Sequence, residues 1–333
     1  MGIVNKKIYS NFKNMNINLS IKNGYDFIYI EKFGGILNLA ALFFSLQKKD
    51  IVILNIEHGV LYNLCFFKYI FFWKRFELIS VDILLRRPVS FKEKLFSYAK
   101  CILLKKVDLF LLYFSNTEGY QKIYGISKAK IKYVPFKVNS WKEVFSGYVS
   151  DPIFGDYVLC AGQTLRDLKT FIDAMRFCNM PGVILTPGKK RMKQHGTILV
   201  TDSFPDNLRL EYHDDGNEET FLNFIKKSAI VVIPRFSNDI SSTGISTYLC
   251  AMASWRCVII SKGPGADDVL LDRQAVLINP ENPYELAREI NNLWSNLDLR
   301  KEIAINGRKY AEKLQGEERM LDDILEFVTN HRV

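Results

Sequence analysis

Short apolar runs alternate with longer amphipathic stretches along most of this chain. YDFIYI at 25–30 reads as a strand, EKFGG as a tight loop, ILNLAALFFSLQ as a helix, and DIVILNI as a strand ending at Glu57, His58 and Gly59. Helical LYNLCFFKYIFFWK, strand FELISVDI, a basic helical region up to Lys106, strand DLFLLYFS, a helix over 117–124 and strand KIKYVPF follow. Strands that alternate with helices, and that are apolar along their whole length, predict a mostly parallel sheet covered on both faces. Ligands of such sheets bind beyond the carboxyl ends of the strands.

The alternation lapses over 140–152 and restarts at DYVLCAG, which places a domain boundary there. The second half runs through strand DYVLCAG, helix LKTFIDAMRF, strand GVILTP, the basic loop GKKRMKQHG, strand TILVTD, helix TFLNFIKKS and strand VVIPRF. After VVIPRF comes a Ser/Thr/Gly-rich loop, a helix ending in CAMA, strand CVIIS and strand AVLINP. Both halves therefore read as Rossmann-like α/β domains, over 1–145 and 146–315, with a final helical segment at 316–333. A length of 333 residues supports two domains, each with its own core.

Composition narrows the classes. A hydrophobic fraction of 48% with 24% charged residues excludes large-scale disorder. The amino-terminal segment lacks the apolar core of a signal peptide, and the longest apolar stretch, 61–73, is interrupted by Lys68, so no spanning segment is expected. Six cysteines without a CxxC pair suggest reduced thiols in a cytoplasmic protein.

The net charge of +9 is unevenly spread. Residues 61–106 hold ten lysines and arginines against three acids, a net +7, interleaved with large aromatics such as Phe66, Phe72, Trp73 and Phe91. This pattern suits peripheral association with an anionic membrane surface, on its inner face for a cytoplasmic protein, or an acceptor linked to a polyprenyl phosphate. It equally suits a buried helix flanked by a solvated basic face. No nucleic-acid motif accompanies the charge, so nucleic acid is not expected as a partner.

Residues 244–247 are the first candidates for chemistry. Gly244 permits close backbone approach, Ser246 and Thr247 carry hydroxyls, and the opening amides of the next helix have no intrahelical acceptor. Such a turn can bind phosphate, or it can be an ordinary capped helix start. Asp82 ends a strand and can take a proton from a hydroxyl or cap the following segment. The basic residues 189–193 read as a solvated loop. Asp267 and Asp268 read as helix-capping residues after Gly263 and Gly265. The pair Asp214–Asp215 lies in a turn-like run with no His or Cys beside it, and no metal site is expected.

The text TGISTYLCAMASWRCVIISKGPGADDV followed by AVLINPENPYELAREINNLW, within 229–310, resembles the donor half of GT-B glycosyltransferases of family 4. VDLFLLYFSNTEGYQKIYGISKAKIKYVPFKVN is similar to the end of that family's acceptor domain, and CAGQTLRDLKTF to its diphosphate loop. Two departures stand out: Ser242 and Cys250 replace a pair of glutamates, and Gln163 takes a place that is often Arg. The resemblance implies two Rossmann-like domains facing across a cleft, with the last helix crossing back onto the first domain. It implies a retaining transferase of the EC 2.4 class that moves a sugar from a nucleotide-diphosphate donor to a glycan or lipid-linked acceptor in polysaccharide or glycoconjugate synthesis. No cofactor is implied beyond the donor substrate itself.

Residue by residue, it implies donor contacts at Gly162, Arg166, Lys169, Gly244, Ser246, Thr247 and Cys250. In the first domain it points to His58, with Asp82, near the reacting sugar. The missing glutamates favour a rival: a GT-B protein that binds a partner or membrane without transfer. A nucleotide-sugar epimerase of the same architecture is a third reading.

Overall fold

Residues 51–54, Ile-Val-Ile-Leu, are buried without alternation, as a strand covered on both faces requires. They form the centre of a parallel sheet in a computed structural model that describes residues 6–15, 24–31, 34–145, 155–197, 199, 203–213 and 218–330. The sheet consists of β1 (Lys6–Ser10), β2 (Tyr25–Tyr29), β3 (Ile51–Asn55), β4 (Glu77–Val81), β5 (Leu109–Leu112) and β6 (Ile131–Tyr133), in the order β2-β1-β3-β4-β5-β6. Every pairing is parallel. Parallel neighbours need crossovers. Helices α1 (Ile36–Ser45), α2 (His58–Ile70), α3 (Phe91–Leu104) and α4 (Glu118–Tyr124) lie within these connections.

The chain divides into two compact units, one of Met1–Pro135 with Glu318–Val333, the other Phe136–Glu317. In the second, β7 (Tyr157–Ala161), β8 (Gly182–Thr186), β9 (Leu208–Tyr212), β10 (Ser228–Ile233), β11 (Cys257–Ser261) and β12 (Val276–Ile278) form another parallel sheet, in the order β12-β11-β10-β7-β8-β9. Its helices are α5 (Trp141–Phe145), α6 (Leu168–Met175), α7 (Lys189–Gln194), α8 (Glu218–Lys227), α9 (Ile245–Ala253), α10 (Pro283–Ser295) and α11 (Leu297–Leu314). The last helix, α12 (Glu317–Asn330), buries Met320, Leu321, Ile324, Leu325 and Val328, a stripe at helical spacing, within the first unit.

Both sheets reverse their strand order once, between β1 and β3 in the first unit and between β7 and β10 in the second. At such a point the connections leave to opposite sides, and a crevice opens beyond the strand ends. The fold class is therefore α/β with two six-stranded parallel sheets, as the alternation predicts.

Three local features depart from the expected pattern. The strand β1, not among the expected strands, begins with two lysines, so its apolar signal is Ile8 and Tyr9 alone. Of the expected strand 197–202, Thr197 and Leu199 are described and neither is in a strand; the edge of that sheet is instead β9, LRLEY. An edge strand tolerates charged residues because one long side of it is open. The basic run at 189–193 is the short helix α7, which buries Met192. Asp214 and Asp215 lie outside the described residues.

Candidate anion site in the second unit

The switch point between β7 and β10 is where the second unit gathers its small residues. Gly162 follows β7, and residues 234–244 lead from β10 into α9. Gly244 is the residue before α9, with φ 98° and no side-chain cap. The first intrahelical bond closes from Tyr248 N to Gly244 O at 3.0 Å. The amides of Ile245, Ser246 and Thr247 therefore have no acceptor within the helix. Every residue of α9 except Ser246 is buried, so the sheet holds this helix end in place while Ser246 stays exposed at its tip.

A cavity of about 240 Å³ opens there, lined by Gly162, Gln163, Thr164, Arg166, His213, Glu218, Phe221, Gly244, Ser246 and Thr247. At ~30 Å³ per water, it holds a group the size of a diphosphate. A larger hollow, about 540 Å³, lies at the amino ends of β7 to β9, beside Asp156, Tyr157 and Pro181. Ligands of doubly wound sheets occupy the carboxyl ends, so the smaller cavity is the functional candidate.

Arg166 lies beneath this cavity, 2% exposed. Its Nε donates to Ala161 O (3.0 Å), Nη1 to Thr164 O (2.8 Å) and Nη2 to Thr247 Oγ1 (3.4 Å). A Cβ on Gly162 would stand 2.7 Å from its Nε, and one on Gly244 would stand 2.8 Å from Ile233 Cγ2 and 3.5 Å from its Nη2. Gly162 is thus needed for the guanidinium to fit, while Gly244 gives the left-handed turn and leaves room for Ile233. Burial lowers the Arg166 pKa to about 10, which still leaves the side chain charged at neutral pH. The positive charge acts from under the pocket floor rather than as a free fork.

The loop entering Gly244 is braced by an ion pair of which the sequence shows no sign. Arg235 and Asp239, whose side chains are each 1% exposed, meet at 2.9 Å. Arg235 also donates to Pro264 O and Ser241 O, and Asp239 accepts from Ser241 N, Ser241 Oγ and Thr243 Oγ1. Asp267 and Asp268 accept from the Gly263 and Gly265 amides, so they shape the neighbouring glycine loop.

Five of the sequence candidates, Gly162, Arg166, Gly244, Ser246 and Thr247, come together around one cavity. Lys169 is not among them. It is exposed on α6 and pairs with Asp173. Cys250 is also absent from the lining. Its thiol is buried, faces Asn139 O at 3.9 Å, and is pushed up to about 12, chiefly by burial and also by the Glu218 charge. Glu218 also accepts from Ser140 Oγ. Sequence reading missed His213, Glu218 and Phe221, which lie at the end of β9 and on α8; no motif marks them. Among the described residues, no group of three or more His, Cys, Asp or Glu could hold a metal.

In the first unit, His58 opens α2 just beyond β3, beside that sheet's switch point. Burial, then Lys100 and Arg86, lower its pKa, which favours the neutral imidazole. Asp82 follows β4 with φ 49°, and its buried Oδ1 has no hydrogen-bond partner. Burial raises its pKa to about 7. His58 borders a narrow crevice with Leu54, Ile56 and Ser80; Asp82 does not line it.

No protein-family model and no curated protein matches this chain by sequence. Solved structures do match in shape. A glycosyltransferase from Rickettsia africae aligns with 98% of this chain and 90% of its own at a TM-score of 0.63 and 14% identity. HepE from Anabaena, solved in complex with UDP, aligns over 98% and 100% at a TM-score of 0.65 and 12% identity. Sucrose-phosphate synthase from Thermosynechococcus elongatus aligns over 92% and 80% at a TM-score of 0.62 and 13% identity. The likeness is one of fold, and the fold is GT-B.

Proposed function

We propose that this protein transfers a glycosyl group from a nucleoside-diphosphate sugar, with the donor diphosphate held in the second unit at the β7–β10 switch point. One observation carries the reading: the opening amides of α9, which have no acceptor within the helix, and the buried Arg166 guanidinium converge on one cavity. An anion there meets the positive end of a helix and a charge in a poorly solvated site. In the reaction the bond between the anomeric carbon and the diphosphate oxygen breaks, and the electron pair goes to that oxygen. The amides and the guanidinium stabilise the charge that develops on it.

The acceptor hydroxyl forms the new bond and must lose a proton. Asp82, with its pKa raised to about 7, is the candidate for receiving it, because a base poised near the working pH is the most effective. His58 is proposed as a neutral hydrogen-bonding group toward a sugar. Retention of configuration and a glycan or lipid-linked acceptor follow the family 4 resemblance.

UDP is the first nucleotide to try, since HepE is described with UDP and with UDP-glucose. Glu218, on the cavity wall, is placed to accept from ribose hydroxyls in place of the missing glutamate at position 250. Calorimetric titration of the full chain with UDP, GDP and ADP tests this. We expect one of them to bind, with affinity reduced several-fold in Thr247→Val and about ten-fold or more in Glu218→Gln, as for a charged hydrogen-bond partner. Absence of binding by all three nucleotides overturns the reading.

The glutamates missing at positions 242 and 250 favour a second reading, a binding protein of the same fold without transfer. Nucleotide binding without donor turnover, in the presence or absence of acceptors, would mark it. Conversion of the donor sugar with no acceptor present would mark an epimerase instead.

A further inference from the structure

Helix α3 faces the wrong way for a helix that serves only its own fold. Phe91, Leu95, Tyr98 and Ile102 recur at helical spacing and form a single stripe, yet they are 86%, 64%, 68% and 37% exposed. Toward the protein the helix turns Ser97, Lys100, Cys101 and Leu104, of which Leu104 alone is buried. Folding therefore gains little from the apolar residues of α3. A contiguous apolar surface of this kind marks an interaction site.

The charge around the stripe identifies the partner. Exposed Lys92 and Lys94 flank it, and exposed Arg86 and Arg87 precede the helix. The one acid in α3, Glu93, is turned back to accept from the Val89 and Ser90 amides in a capping box. The same unit carries a second set of exposed rings: Lys106 lies over the exposed Tyr69 ring at 5.4 Å, and Phe72 and Trp73, in the turn after α2, are 74% and 62% exposed. A second copy of the same surface would oppose like charges. Large apolar and aromatic side chains beside lysines match an anionic bilayer surface, where rings and aliphatic chains sit at headgroup depth and ammonium groups meet lipid phosphates.

We propose that the outward stripe of α3, with the turn carrying Phe72 and Trp73, docks this protein on an anionic lipid surface. The proposal does not depend on the transferase reading. Co-sedimentation of the full chain with phosphatidylcholine vesicles, and with mixed phosphatidylcholine and phosphatidylglycerol vesicles, tests it. We expect pelleting with the mixed vesicles alone, weakening with added salt. Lys92→Gln/Lys94→Gln should weaken partition about five-fold per lysine removed, and Leu95→Ser/Tyr98→Ser should abolish it. Circular dichroism and nucleotide binding should be unchanged in both variants, because the altered side chains are exposed. Pelleting that ignores lipid charge, or that survives in the stripe variant, overturns the proposal. So does a concentration-dependent dimer of the wild type that is lost in the stripe variant, which would assign the face to a second copy.

Discussion

Asp82 illustrates how a residue's chemistry is decided by the place that its backbone gives it. The chain turns through φ 49° at this position, its amide donates to Leu111 O at 2.9 Å, and its carboxyl is left without a hydrogen-bond partner at Oδ1. Burial therefore favours the protonated acid and raises the pKa from 3.8 to about 7. The sign of the linkage follows. In the unfolded chain the group ionises near its ordinary value, while the folded chain holds the proton, so stability falls as pH rises between about 4 and 7. Asp82→Asn removes the titration. Across that window the variant should gain stability relative to wild type by on the order of 1–4 kcal/mol, measured by urea denaturation at a series of pH values. If Asp82 is also the proton acceptor, the same substitution suppresses transfer while leaving nucleotide binding intact. Parallel denaturation curves at every pH would show that the carboxyl is not held this way.

The Arg235–Asp239 pair belongs to the scale of the element, because it shapes the whole loop from β10 to α9. Asp239 gathers one guanidinium, two hydroxyls and an amide from residues 235–243, and Arg235 returns bonds to two loop carbonyls. A buried pair of this kind adds little by its attraction alone, but removing one partner strands a charge. Asp239→Ala should therefore cost about 3–5 kcal/mol in denaturant unfolding of the second unit and disorder the approach to Gly244. Nucleotide affinity should fall with it, although residue 239 does not line the cavity. A loss under about 1 kcal/mol, the range of an exposed pair, would show that the loop stands without this brace.

For the whole molecule, two units with separate sheets and cores imply that a ligand bound to one unit stabilises that unit directly. Residues Trp141, Trp255 and Trp294 belong to the second unit and Trp73 to the first, so a Trp73→Phe variant restricts tryptophan fluorescence to the second. With nucleotide at a hundred times its dissociation constant, the fluorescence-detected transition should gain about 2.7 kcal/mol. A transition that does not move with a nucleotide proved to bind would place the site in the first unit.

The parallel sheets, the helical stretches between them and five of the cavity residues were legible in the amino-acid sequence. Unbroken apolar runs and a glycine-hydroxyl turn before a helix are local patterns, and they need no tertiary partner to be recognised. The sequence alone likewise determined that residues 61–106 are basic and aromatic. Only the tertiary structure decided which way those aromatics face, because the phase of an amphipathic stripe says which residues go together and not whether core or solvent receives them. It also decided that Arg166 supports the cavity from beneath, that Lys169 and Cys250 are elsewhere, that His213 reaches the pocket from the end of the edge strand, and that Glu218 reaches it from the helix packed on β7 and β10. Those positions depend on strand order, which brings β7 beside β10 across some seventy residues of chain, and no spacing along a sequence encodes that neighbourhood.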